Sequence, residues 1–217
     1  MMFLRPNSAL QKARLYGILD LGYVSGKDAL AMAKKMLDGG VQILQLRAKE
    51  RSFREIRALA RDLSSVCRAH DVPFILNDHP ELVPETGSDG VHVGQDDVSV
   101  AEARSLAGEH AIVGKSTHSL AQALAADREG PDYIGFGPLF ATPTKPDYPP
   151  IGLDEIAQAQ RIVSLPVFCI GGIKRENLSE VLAAGAQRVV IVSGILQAPD
   201  PQAYCKACGD AIASALG

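Results

Sequence analysis

No stretch of this 217-residue chain approaches the length of a membrane-spanning run. Its opening residues, Met1-Met2-Phe3-Leu4-Arg5-Pro6, hold too few apolar side chains for a signal peptide, so a cytoplasmic protein away from membranes is expected. Charge of one sign is also scarce. A net charge of −3 argues against a general nucleic-acid binder but leaves room for a local basic site for phosphates. Cysteine is too sparse for a disulfide scaffold of this length: there are four, Cys67, Cys169, Cys205 and Cys208. Cys205 and Cys208 make a lone Cys-x-x-Cys, with neither the second pair of a zinc site nor the preceding strand of a redox motif, and read as cysteines packed on a helix. What the chain does have is a globular composition, 47% hydrophobic and 22% charged, enough for a large core.

Strand-like and helix-like segments alternate along the whole length. Strands are expected at 15–19, 41–46, 74–76, 91–93, 112–114, from 133, at 167–170 and at 189–192. Helices are expected at 28–38, from the capping box Ser52/Glu55 to about 70, from the box Ser99/Glu102 to 107, and at 120–128, 153–163, 177–184 and 201–216. The segment after the third strand is weak, a helix from Pro80 cut short by Pro84. Short, continuously apolar strands alternating with helices predict an all-parallel sheet buried on both faces. In this length they fit one closed (β/α)8 TIM barrel spanning 1–217, with 1–14 as an N-terminal extension.

Chemistry in such barrels sits where strands end, and the strand ends here are polar. After the second strand, Gln45, Arg47 and Lys49 alternate with Leu46 and Ala48, so an amide and two cations share one face; the bland alternative is a solvated strand end. Asn77-Asp78 ends the third strand, and Gly94-Gln95-Asp96-Asp97 follows the fourth. Acids from neighbouring strands suit a hard cation such as Mg²⁺, although capping is the commoner task of a single Asp. His92 and His118 read as structural, the first packed and hydrogen-bonded, the second in the first turn of a helix. Ser116, ending the fifth strand, is the hydroxyl read as a phosphate donor, while Thr117 and Ser119 read as caps. Gly171-Gly172-Ile173 and Ser193-Gly194 end the last two strands and form the backbone cradle that holds a phosphate in these barrels. Between the two anion sites lies Gly135-Phe136-Gly137-Pro138, followed by Thr142, Thr144 and Lys145 in a loop expected to close as a mobile lid. Together these residues suit a reaction that joins a diphosphate to a second, phosphorylated molecule.

The motifs Gln45-Leu46-Arg47-Ala48-Lys49, Asn77-Asp78, Gly90-Val91-His92-Val93-Gly94-Gln95-Asp96-Asp97, Gly114-Lys115-Ser116, Thr142-Pro143-Thr144-Lys145, Gly171-Gly172-Ile173 and Val192-Ser193-Gly194 resemble the thiamine phosphate synthases in order along nearly the whole chain. The resemblance implies transfer of the hydroxymethylpyrimidine group from its diphosphate to thiazole phosphate, with release of pyrophosphate and Mg²⁺ as cofactor. It implies that Gln45, Arg47, Lys49 and Asn77 bind the pyrimidine diphosphate and that Asp78 and Asp97 hold the metal. Ser116 and Lys145 would contact the leaving pyrophosphate, with Thr142, Thr144, Gly172, Val192 and Ser193 around the thiazole phosphate. Arg47, Lys49, Ser116 and Lys145 would be the catalytic set. Partners would be these small molecules, with self-association left open. The segment 79–85, Lys115 and Arg188 depart from the family's usual residues. Two rivals share the scaffold: a thiazole tautomerase, whose active histidine would correspond to His118, and a non-catalytic phosphate-ligand sensor, which needs the cradle but not the acids.

Overall fold

The computed structural model describes residues 6–142 and 148–217. Strands β1 (Leu15–Asp20), β2 (Ile43–Arg47), β3 (Phe74–Asn77), β4 (Gly90–Val93), β5 (Ile112–Thr117), β6 (Tyr133–Phe136), β7 (Val167–Cys169) and β8 (Val189–Ile191) pair in parallel in chain order, and β8 closes onto β1. The helices are α1 (Pro6–Lys12), α2 (Ala29–Asp38), α3 (Phe53–Ala69), α4 (Val83–Thr86), α5 (Val100–Ala107), α6 (Leu120–Glu129), α7 (Ile156–Ile162), α8 (Leu178–Ala183), α9 (Ser193–Leu196) and α10 (Pro201–Leu216). The chain is a (β/α)8 barrel.

Its strands are apolar on both faces because both faces are covered. Leu44, Leu46, Leu76, Val91, Val93, Val113 and Ile134 face outward into the layer shared with the helices. Tyr16, Ile18, Ile43, Ile75, Ile112, Tyr133, Phe168 and Val190 fill the barrel itself. Leu10 and Ala13 belong to that inner cluster, so α1 stops the end of the barrel at which the strands begin. The opposite end is left for chemistry.

Local signals act as their chemistry dictates. Ser52 and Glu55 form the reciprocal capping box of α3. Ser99 accepts from the Glu102 N–H at the start of α5, and Ser119 from that of Gln122 at the start of α6. Cys205 and Cys208 are free thiols buried on α10, and burial pushes them up to about 12 and about 11.

Three expectations need correcting. Pro84 does not end its helix; a 3₁₀ turn over Pro80–Leu82 leads into α4, where Pro84 occupies the first turn and no N–H is required of it. Strand β5 runs on to Thr117, so Ser116 and Thr117 stand on rigid sheet. Helix α7 begins at Ile156, three residues after the expected start. No helix among the described residues is long and apolar enough to cross a membrane.

Candidate active site

Period-2 alternation decides which residues reach the open end. Register pairs Ile18 with Gln45, Asp20 with Arg47, Asn77 with His92 and Ser116 with Gly135. This places Gln45, Arg47, Asn77, His92 and Ser116 around one cavity inside the barrel. Thr142, Gly171, Gly172, Val192 and Ser193 line the same cavity from the far side. Strands β2 to β5 and the segments after β6, β7 and β8 thus send polar or small residues to one mouth. Thr144 and Lys145 lie outside the described residues.

Gln45 is buried at 2% exposure rather than solvated. Arg47 is held by Asp20, whose carboxylate accepts from Nη1 at 2.8 Å and from the Gly22 N–H at 2.9 Å. This clamp fixes the guanidinium fork where an incoming oxyanion would meet it. Asp20 escaped the sequence reading because only strand pairing sets it beside Arg47.

Lys49, Asp78 and Asp97 stand beyond the cavity lining. Lys49 lies just past the end of β2 and makes an ion pair with Asp78. Asp78 adopts a left-handed backbone, φ 66°, and its N–H donates to the His92 carbonyl. It does not cap the following turn. Its carboxyl is raised above the ordinary value, first by desolvation and further by the neighbouring Asp97 carboxylate, with Lys49 opposing. Asp97 in turn accepts from the Gly94 N–H at 2.6 Å, so it does brace a turn as well. Two acids brought together after β3 and β4 repel as carboxylates, a repulsion that a shared proton or a cation relieves, and oxygen ligands of this kind suit Mg²⁺. That ion takes one or two carboxylates and fills its shell with water and phosphate. Among the described residues no group of three or more His, Cys, Asp or Glu gathers that could hold a metal ion, so a site here would rest on the two acids alone.

At the far side the glycines are structural requirements. Gly172 has φ 68°, and a Cβ there would come within 2.6 Å of the Phe140 Cβ. Gly171 and Gly172 therefore present only backbone to the cavity. Ser193 begins α9 beside it.

One histidine sits as expected and one does not. His92 is hydrogen-bonded, as expected, but within the barrel: Nε2 meets Ser116 Oγ at 2.9 Å and Nδ1 meets Tyr133 OH at 3.1 Å. His118 is not in a helix turn. It lines the cavity, donates from Nδ1 to the Gly137 carbonyl at 2.5 Å, and stacks on Tyr148 with ring centroids 4.1 Å apart. Ser119 is the cap, and buried Thr117 donates to the Gly135 carbonyl. Tyr16 and Tyr133, both missed by motif reading, form the polar floor of the cavity, their hydroxyls 2.9 Å apart.

The departures are local. Lys115 is buried and donates to the Gly94 carbonyl at 2.9 Å, and Arg188, just before β8, donates to the Gln11 carbonyl in α1 at 3.0 Å.

With this geometry in place, comparison with known proteins is direct. The family model described as thiamine monophosphate synthase matches residues 15–195. A thiamine-phosphate synthase of Pelotomaculum thermopropionicum is 40% identical over 204 residues, covering 94% of each chain. One from Thermus thermophilus is 45% identical over 180 residues, 82% of this chain and 86% of its own. Among solved structures, thiamine phosphate pyrophosphorylase from Pyrococcus furiosus superposes with a TM-score of 0.88 at 30% identity, covering 96% of this chain and 99% of the other.

Proposed function

The chain belongs to the thiamine monophosphate synthase family, and on that premise we propose how its site carries out the synthase reaction. It is a thiamine-phosphate synthase, a transferase of thiamine synthesis. The pyrimidine diphosphate lies with its phosphates toward Arg47 and Lys49 and its ring toward Gln45 and Asn77. The thiazole phosphate lies against Gly172, Val192 and Ser193, with Thr142 beside it. Thr144 and Lys145 keep the roles that the family resemblance gives them.

Asp78 and Asp97 would hold Mg²⁺, which when bound supplies positive charge to the diphosphate oxygens. The carbon–oxygen bond to pyrophosphate breaks first, leaving a pyrimidinylmethyl cation, and the thiazole nitrogen then donates its electron pair to that carbon. Arg47 is clamped before substrate arrives, so little reorganisation is needed as charge gathers on the leaving group. Ser116 adds a hydroxyl donor from a strand rather than a loop. No proton leaves the reacting atoms in this step, and no general base is required. Positioning two substrates against each other supplies much of the remaining acceleration.

The observation that carries this reading is the convergence, in one barrel mouth, of a clamped arginine with two adjacent carboxylates on one side and a backbone cradle on the other. The test is formation of thiamine phosphate from the two substrates by the purified chain. Product should require Mg²⁺, and Asp78→Asn or Asp97→Asn should raise the Mg²⁺ concentration needed for half-maximal rate. Turnover of a thiazole tautomer with no thiamine phosphate would replace the synthase reading with the tautomerase. Retention of full activity in Asp97→Asn would remove the acids from the metal site.

A further inference from the structure

A line of side-chain hydrogen bonds crosses the barrel along the cavity floor, drawing one residue from each of five strands. Gln45 Nε2 lies 2.7 Å from Tyr16 OH, which lies 2.9 Å from Tyr133 OH. Tyr133 OH lies 3.1 Å from His92 Nδ1, and His92 Nε2 lies 2.9 Å from Ser116 Oγ. Gln45, Tyr16 and Tyr133 are at most 2% exposed. Both phenols are pushed well above the ordinary range, first by burial, and keep their protons. Gly114 makes the middle link geometrically feasible: a Cβ there would stand 2.5 Å from both His92 Nδ1 and Tyr133 OH.

The number of protons gives this line a direction. The Gln45 amide nitrogen can only donate, so the Tyr16 oxygen accepts from it. Tyr16 has one proton, which goes to the Tyr133 oxygen, and the Tyr133 proton goes to His92 Nδ1. His92 then carries its ring proton on Nε2 and donates to Ser116 Oγ. The serine keeps its own proton for a further acceptor. Run the other way, Nδ1–H would donate to Tyr133 and Tyr133 to Tyr16, leaving the buried Tyr16 proton with no acceptor in the line. A buried hydroxyl proton left unpaired is costly; the first direction pairs both buried phenol protons and leaves only that of Ser116, which lines the cavity.

We infer that this polarised line sets the tautomer of His92 and thereby makes Ser116 an obligate donor toward an anion in the cavity, with Tyr16, Tyr133 and His92 as positioning residues. The polarity stands on the geometry alone; assigning pyrophosphate as the anion rests on the synthase reading above.

The test uses the full chain labelled with ¹⁵N-histidine, with His92→Asn assigning the signal. Ring ¹⁵N–¹H spectra should show His92 protonated on Nε2 and not on Nδ1. In Tyr133→Phe, which keeps the ring and deletes the relay, the Nε2 preference should be lost. Tyr16→Phe breaks the line one link earlier, should weaken the same preference, and serves if the first variant folds poorly. Calorimetry with inorganic pyrophosphate and Mg²⁺ gives the second readout. Tyr133→Phe and Ser116→Ala should each weaken binding by about tenfold, as for loss of a hydrogen bond to a charged group, and the double variant should be no weaker than Ser116→Ala alone. A His92 protonated on Nδ1 in the unsubstituted protein would overturn the polarity. Additive losses in the double variant would overturn the route through Ser116. Failure of thiamine phosphate synthesis would sink the synthase reading while leaving the tautomer result standing.

Discussion

Asp20 shows how a residue with no motif of its own controls one that has. Its carboxylate is buried and fixes Arg47 from the neighbouring strand, so the guanidinium meets substrate already oriented. Asp20→Asn keeps an acceptor for the Gly22 N–H but removes the charge partner. Steady-state kinetics should then show a Michaelis constant for the pyrimidine diphosphate raised about tenfold, the scale of one charge-assisted hydrogen bond, with that for thiazole phosphate little changed. Gly172 tests the opposite wall. Its φ of 68° and the 2.6 Å approach to Phe140 leave no room for a methyl group. Gly172→Ala should cost roughly 1–3 kcal/mol of local strain and raise the Michaelis constant for thiazole phosphate specifically. Equal effects on both substrates would show that the two walls are not separate sites. Gly172, Arg47 and Ser116 were legible in the sequence because each belongs to a motif at a strand end. Asp20, Tyr16 and Tyr133 were not, because their roles come from partners on other strands.

Among the elements, α3 shows the most completely encoded boundary. Ser52 accepts from the Glu55 N–H, and the Glu55 carboxylate accepts from the Ser52 backbone and hydroxyl. Those bonds hold the Glu55 carboxyl below its ordinary value, the Ser52 hydroxyl being the larger cause. A carboxyl depressed in the folded state contributes stability that is fully present above its unfolded value and is lost as pH falls through its folded one. Ser52→Ala should therefore lower stability at neutral pH, and its deficit relative to the unsubstituted protein should shrink in acid; urea denaturation across that range measures both. Strand β5 was less legible. Gly114 and Lys115 have poor strand propensity, and pairing with β4 and β6 overrides it. That override matters, since it puts Ser116 on the rigid scaffold. The start of α7 at Ile156 likewise has no capping signal, as Glu155 makes no side-chain capping bond.

At the scale of the molecule, the barrel is closed at one end and chemical at the other. Leu10, on α1, is fully buried in the inner cluster. Leu10→Ala should destabilise the protein by about 3 kcal/mol through lost burial and a cavity, visible as a lowered melting temperature, with the Michaelis constants unchanged. The sequence by itself determined the (β/α)8 architecture, because buried parallel strands must read as short apolar runs and their helices as capped amphipathic segments. It also determined which strand ends carry cations, acids and glycines, since those chemistries are local. Tertiary structure alone decided that Asp20 clamps Arg47 and that His118 lines the cavity. It alone threaded Gln45, Tyr16, Tyr133, His92 and Ser116 into one line. Such contacts join residues far apart in the chain, and only barrel closure and strand register bring them within hydrogen-bonding distance.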